Sequence, residues 1–158
     1  MGLGDKDYSQ QFNVFYRLNR GEEYVQSIAY RLRIKPMATG TYPSVQCEFA
    51  DANGLSLGNV PERGADLKLE PWKFVAAGQL LTIEMSGVDK ASQVVRFIVR
   101  DAKAVTADEV KKGVTELLEK NHLRVLQLNE SFTLSARVSF NGGEHFFGFM
   151  PYSLRLRQ

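Results

Sequence analysis

From Ser131 to Phe140 the chain alternates without a break, with Phe132, Leu134, Ala136, Val138 and Phe140 set against Ser131, Thr133, Ser135, Arg137 and Ser139. Successive side chains of a β-strand point to opposite faces, so a period of two predicts a strand with one buried and one wet face. Asn141-Gly142-Gly143 follows at once. Tight hairpin turns need positive φ at their central residues, which Asn and Gly tolerate, so Phe147 and Phe149 are expected to return antiparallel to the first strand. Tyr152, Leu154 and Leu156 then alternate with Ser153, Arg155 and Arg157 in a further strand.

The same grammar recurs upstream. Phe12, Val14, Tyr16 and Leu18 alternate with Gln11, Asn13, Arg17 and Asn19, a pattern that only Phe15 interrupts. Tyr24, Ile28, Tyr30, Leu32 and Ile34 alternate with Val25, Ser27, Ala29, Arg31, Arg33 and Lys35, and Arg20-Gly21-Glu22 between the two runs reads as a hairpin turn. Val45, Cys47 and Phe49 form a short run that turns Cys47 inward. Leu81, Ile83 and Met85 mark another strand. Val95, Phe97 and Val99 mark the next, and Val94 and Ile98 on its other face predict a central strand covered on both sides.

One helix is expected, over about residues 107–120. Thr106 and Glu109 have the spacing of a capping box, in which each side chain accepts a bond from an otherwise unpaired backbone N–H. Val110, Val114, Leu117 and Leu118 form its apolar stripe, Asp108 with Lys112 and Glu116 with Lys120 pair on the wet face, and Asn121 suits the left-handed end.

About eight to ten strands and one helix predict a mainly β fold, an antiparallel β-sandwich or rolled barrel carrying the amphipathic helix, with an α+β roll as the alternative. At 158 residues the chain fits one β-rich globular domain spanning 1–158. Hydrophobic residues make up 44% and charged residues 24%, the balance of a soluble protein. Apolar runs such as Phe146 to Met150 are far too short to span a membrane, for which about 18 residues are needed. Met1 to Asp7 lack the basic flank and apolar stretch of an intact signal peptide. A single cysteine, Cys47, forbids an internal disulfide and favours a cytoplasmic or virion-associated setting, while remaining compatible with an exported mature form.

The motifs narrow the chemistry mainly by exclusion. His122 and His145 are the only histidines and neither has neighbours at ligand spacing, so no metal is expected. No G-x-S-x-G elbow or glycine-rich phosphate loop occurs, Cys47 reads as packing, and no catalytic residue or cofactor is assigned. Asp51, Asn53, Asn59 and Glu62 fall at positions one, three, nine and twelve of a calcium-loop window, but Leu55 and Ser56 stand where an oxygen ligand and a glycine are required. They remain candidate binding residues because 51–66 is the longest irregular stretch. Loops longer than roughly 12–15 residues in small domains are commonly functional, the simpler alternatives here being a short helical turn near Pro61 or a small strand at Leu55–Leu57.

Arg31, Arg33 and Lys35 alternate and so share a face, spaced roughly 6.5–7 Å apart, and Arg155 and Arg157 repeat the pattern. If the two strands were neighbours, five cations would form one binding face. The competing explanation is that basic residues on exposed strands prevent edge-to-edge pairing. The net charge of +2 is spread along the chain, about +1, −1 and +2 by successive thirds, so attraction to nucleic acid would have to come from such a patch.

These readings favour a non-enzymatic module that works by protein–protein contact or self-association, as a structural subunit of a larger assembly such as a virion, appendage or secretion apparatus. Nucleic-acid binding along the basic strands is the alternative. A small hydrolase or carbohydrate-binding domain using Asp51, Glu62 or Asp66 is the third reading, and nothing in the sequence specifies a small-molecule ligand.

Overall fold

The computed structural model describes residues 10–21, 23–34 and 41–158. Contacts divide the chain into two units, 1–38 and 39–158.

In the first unit, strands β1 (Gln10–Val14), β2 (Arg17–Arg20), β3 (Glu23–Gln26) and β4 (Tyr30–Ile34) form one interrupted hairpin. β2 and β3 pair antiparallel about a turn in which Gly21 takes φ 64°, as the Arg20-Gly21-Glu22 signal predicts. β1 pairs antiparallel with β4. The registers differ by one residue: Leu18 faces Val25, whereas Val14 faces Tyr30. Between the two ladders the Ser27 N–H donates to the Tyr16 carbonyl at 3.0 Å, which leaves Phe15 alone opposite both Ile28 and Ala29. Two residues opposing one is a β-bulge. The single run expected over 24–34 is therefore two strands, with a change of parity between them. Lys35 lies outside the described residues.

The second unit carries β5 (Gln46–Cys47), β6 (Ala50–Asp51), β7 (Gly54–Ser56), β8 (Ala65–Leu69), β9 (Leu80–Val88), β10 (Val94–Ala104), α1 (Ala107–Lys112), β11 (Val114–Leu118), α2 (Lys120–Val125), β12 (Ser131–Ser139), β13 (Phe147–Gly148) and β14 (Tyr152–Arg157). The larger sheet has the order β10-β9-β12-β14-β7-β6, with β13 also on β12, and the smaller has the order β11-β8-β5. Pairing is antiparallel except between β14 and β7, where Leu156 and Leu55 match in parallel. Leu81, Ile83 and Met85 of β9, Phe132, Leu134 and Val138 of β12, and Leu154 and Leu156 of β14 join Leu67, Leu69, Val114 and Leu118 of the smaller sheet in one buried cluster. Burying each such side chain contributes roughly 1.5–3 kcal/mol, which makes alternation in these strands the main determinant of the fold. The fold is mainly β and sandwich-like, with antiparallel sheets that do not close into a barrel.

Two expectations are corrected. The helix predicted over 107–120 is instead α1, a strand and α2. The Thr106–Glu109 capping box is present, but the helix stops at Gly113, whose φ 82°, ψ 177° only glycine adopts readily. Val114 to Leu118 then pair with Leu69 to Ala65. Val110, Val114 and Leu118 recur every four residues, and four is an even number, so they fit a strand face as well as a helix stripe. Asn121, read as a helix end, lies inside α2.

The second correction concerns β10. Among the described residues it pairs only with β9 and forms the border of its sheet, leaving Val94 and Ile98 exposed where a covering layer was expected. Arg96 and register shifts between Ile98 and Arg100 and between Arg100 and Lys103 interrupt that border, the devices by which strands resist edge-to-edge pairing.

Candidate interaction surfaces

The bulge at Ile28–Ala29 decides which hairpin side chains share a face. Val14, Tyr16 and Leu18 lie on one side of the first arm. The one-residue shift sets Val25 opposite Leu18, Ser27 opposite Tyr16 and Tyr30 and Leu32 on the same side, so odd and even positions of the second arm join one face. Six large side chains, Val14, Tyr16, Leu18, Val25, Tyr30 and Leu32, occupy this face, each 48–62% exposed. None is charged. Scattered exposed hydrophobics are ordinary, whereas a contiguous apolar face on one ribbon is not.

The opposite face is built differently. The Arg17 guanidinium lies 5.0 Å from the Tyr24 ring centre and 5.5 Å from that of Phe15, while its Nε donates to Gln26 Oε1 at 3.0 Å. Arg31 stands opposite Asn13 and is exposed. Arg33 stands opposite Gln11 in an unbroken register from 30 to 34; its side chain is outside the described residues.

Arg155 and Arg157 belong to β14, whose sheet neighbours are β12 and β7, whereas β4 pairs with β1. The two basic strands are thus in different sheets. Arg155 Nε donates to the Asn129 carbonyl at 2.9 Å, and Arg157 forms an ion pair with Asp51 at 3.0 Å.

The stretch 51–66 is largely tied down. Asp51 accepts the Asn53 N–H at 2.7 Å in the β6–β7 turn as well as pairing with Arg157, and the Asn59 N–H donates to the Ser56 carbonyl at 3.1 Å. Of the two alternatives for this stretch, the small strand is present as β7 at Gly54–Ser56, one residue earlier than Leu55–Leu57, and no helix forms near Pro61. Glu62 pairs with Lys120 at 3.2 Å and Arg124 at 2.8 Å, and hydrogen bonds from these cations hold its carboxyl below the usual range. Lys120 Nζ also donates to the Val60 carbonyl at 2.6 Å, which fastens the loop to α2. Asp66 pairs with Arg63. The four candidate loop residues do not converge on a common point, because Asp51 and Glu62 are drawn to different cations.

Two side-chain clusters escaped the sequence reading. The wholly buried Arg100 side chain pairs with Glu109 at 2.7 Å and Glu116 at 3.0 Å and donates to the carbonyls of Lys103 and Ala104. No local signal joins residues 9 and 16 positions apart. The His122 ring stacks on Phe97 with centres 4.4 Å apart. His145 is exposed beside the 141–143 turn. Cys47 is buried as expected, and burial pushes its thiol up to about 12. Among the described residues, no group of three or more His, Cys, Asp and Glu is placed to hold a metal ion, and no helix is long and apolar enough to cross a membrane.

No protein-family model, curated protein or solved structure matches the chain.

Proposed function

We propose that this protein is a non-enzymatic subunit that acts through protein–protein contact within a larger assembly, using the apolar face of the bulged hairpin. The observation that supports this reading is the set Val14, Tyr16, Leu18, Val25, Tyr30 and Leu32, exposed together on a two-stranded ribbon. An isolated two-stranded hairpin is at best marginally stable in water, and a further layer over its apolar face supplies the missing burial. Capture of partners by the full chain tests the reading. The double variant Leu18→Asp, Val25→Asp is expected to lose a partner, or a second copy of the chain, that the wild type retains; an unchanged set of captured proteins contradicts it.

A second reading, nucleic-acid binding, draws on the other hairpin face, where Arg17 and Arg31 accompany exposed Phe15 and Tyr24. Cations interleaved with aromatic rings suit single-stranded nucleic acid. Its signature is affinity that falls steeply with salt and is reduced by Ala at Arg31, Arg33 and Lys35. Unchanged oligonucleotide binding by that triple variant removes this reading.

A further inference from the structure

Resting on the contact reading above, the geometry points to a second copy of this chain as the occupant of the hairpin's apolar face, the two ribbons stacking face to face about a two-fold axis. Three observations carry the assignment. The face is uncharged across Val14, Tyr16, Leu18, Val25, Ser27, Tyr30 and Leu32, so laying it on an identical face buries no unpaired charge, the usual obstacle to self-association. The one charged cross-strand pair of the same parity, Arg20 opposite Glu23, stands at the turn end and carries no net charge, so neither an acidic nor a basic partner is favoured.

The second observation is area. Taking roughly 150–250 Å² for a whole aromatic side chain and somewhat less for an aliphatic one, the exposed parts of the six large residues amount to on the order of 700 Å². A standard interface buries roughly 800 Å² on each partner, so one such face facing another is close to sufficient. The third is shape. β-Ribbons stack with their faces about 10 Å apart, and a face that mixes Tyr with Val and Leu allows large and small side chains to interdigitate.

In a two-fold arrangement the same residues meet on both sides, and those midway along the face lie nearest the axis. Tyr16 and Ser27 hold that position, between the Val14–Tyr30 and Leu18–Val25 pairs.

Sedimentation velocity on the full chain over a dilution series tests the assignment. The wild type is expected to form a dimer with a Kd of about 1 μM or tighter. Tyr16→Glu and Tyr16→Lys should each weaken it at least about 100-fold, since like charges then meet near the axis. An equimolar mixture of the two should recover the dimer, because opposite charges then face each other, and unchanged dispersion of the Leu18 and Val25 methyl signals by NMR shows that the hairpin folds in both variants. A dimer that survives either charge alone, or a mixture that stays monomeric, overturns the inference. A wild type that stays monomeric overturns it as well. In that case a partner lost with Leu18→Asp, Val25→Asp leaves the contact reading standing with a different occupant, and an unchanged partner set removes both.

Discussion

Tyr16 and Ser27 are tied to each other twice. The Ser27 N–H donates to the Tyr16 carbonyl at 3.0 Å, and the Ser27 hydroxyl oxygen accepts the Tyr16 N–H at 3.1 Å while donating to the Ile28 carbonyl at 3.0 Å. The hydroxyl thus supplies a bond where the backbone ladder breaks, and it stabilises the bulge that gathers the apolar face.

Ser27→Ala removes that bond. A net loss of about 1 kcal/mol, typical of one hydrogen bond, corresponds to roughly fivefold faster exchange of the Tyr16 amide. Hydrogen exchange followed by NMR should show the change at residues 14–17 and 26–30, with amides of β9 and β12 unaffected. Unchanged Tyr16 exchange contradicts the role given to the hydroxyl.

Gly113 is required by its backbone and by its neighbour. A Cβ there would lie 2.5 Å from the Leu69 carbonyl oxygen, at a φ of 82°. Gly113→Ala is expected to cost about 1–3 kcal/mol, read as a lower urea midpoint. Had 107–120 been one helix, the same substitution would stabilise the protein by about 0.5–1 kcal/mol.

Glu109 makes stability depend on acid. The Arg100 hydrogen bond, helped by the Thr106 backbone, lowers its carboxyl from 4.5 to about 2 in the folded chain. A depressed folded value contributes stability that is fully present above the unfolded value, about 4.5, and is lost as pH falls through the folded value, about 2. Urea midpoints should therefore fall between about pH 5 and pH 2, with a shallower slope in Glu109→Gln. Glu109→Gln should also be less stable at neutral pH, since it leaves the buried Arg100 with Glu116 as its closest counter-charge. Equal slopes in the two proteins contradict this.

Cys47 should resist chemistry in the folded state. Its thiol is buried, and desolvation followed by the nearby Glu48 charge pushes it up to about 12, so little thiolate forms at pH 8. A disulfide reagent should label it slowly in buffer and fast in urea, and prompt labelling of the native protein contradicts its placement.

Much of this architecture can be read directly from residue alternation. The strands through Phe132–Val138 and Leu154–Leu156, the turns at Gly21 and Gly142-Gly143, the inward Cys47 and the Thr106–Glu109 cap all follow local rules, because each depends on neighbours in sequence. The failures have a common physical cause. Val114 and Leu118 suit two periods, and the choice was made by pairing with Leu69 and Ala65, far away in the chain. Membership of β10 at a sheet border, the Arg157–Asp51 pair and the Arg100 cluster are likewise long-range. The hairpin lies between these cases. Phe15 already breaks the alternation, and that break is the visible trace of the bulge at which Val25, in place of Tyr24, comes to share the apolar face.

Hydroxyl-radical footprinting of the three hairpin tyrosines tests that face most directly, since Tyr16 and Tyr30 lie on it and Tyr24 lies behind it beside Arg17. On passing from dilute to concentrated full-length protein, Tyr16 and Tyr30 should become protected while Tyr24 keeps its reactivity. Protection of Tyr24 instead, or equal reactivity of all three at every concentration, would contradict the assignment of the apolar face as the contact surface between copies.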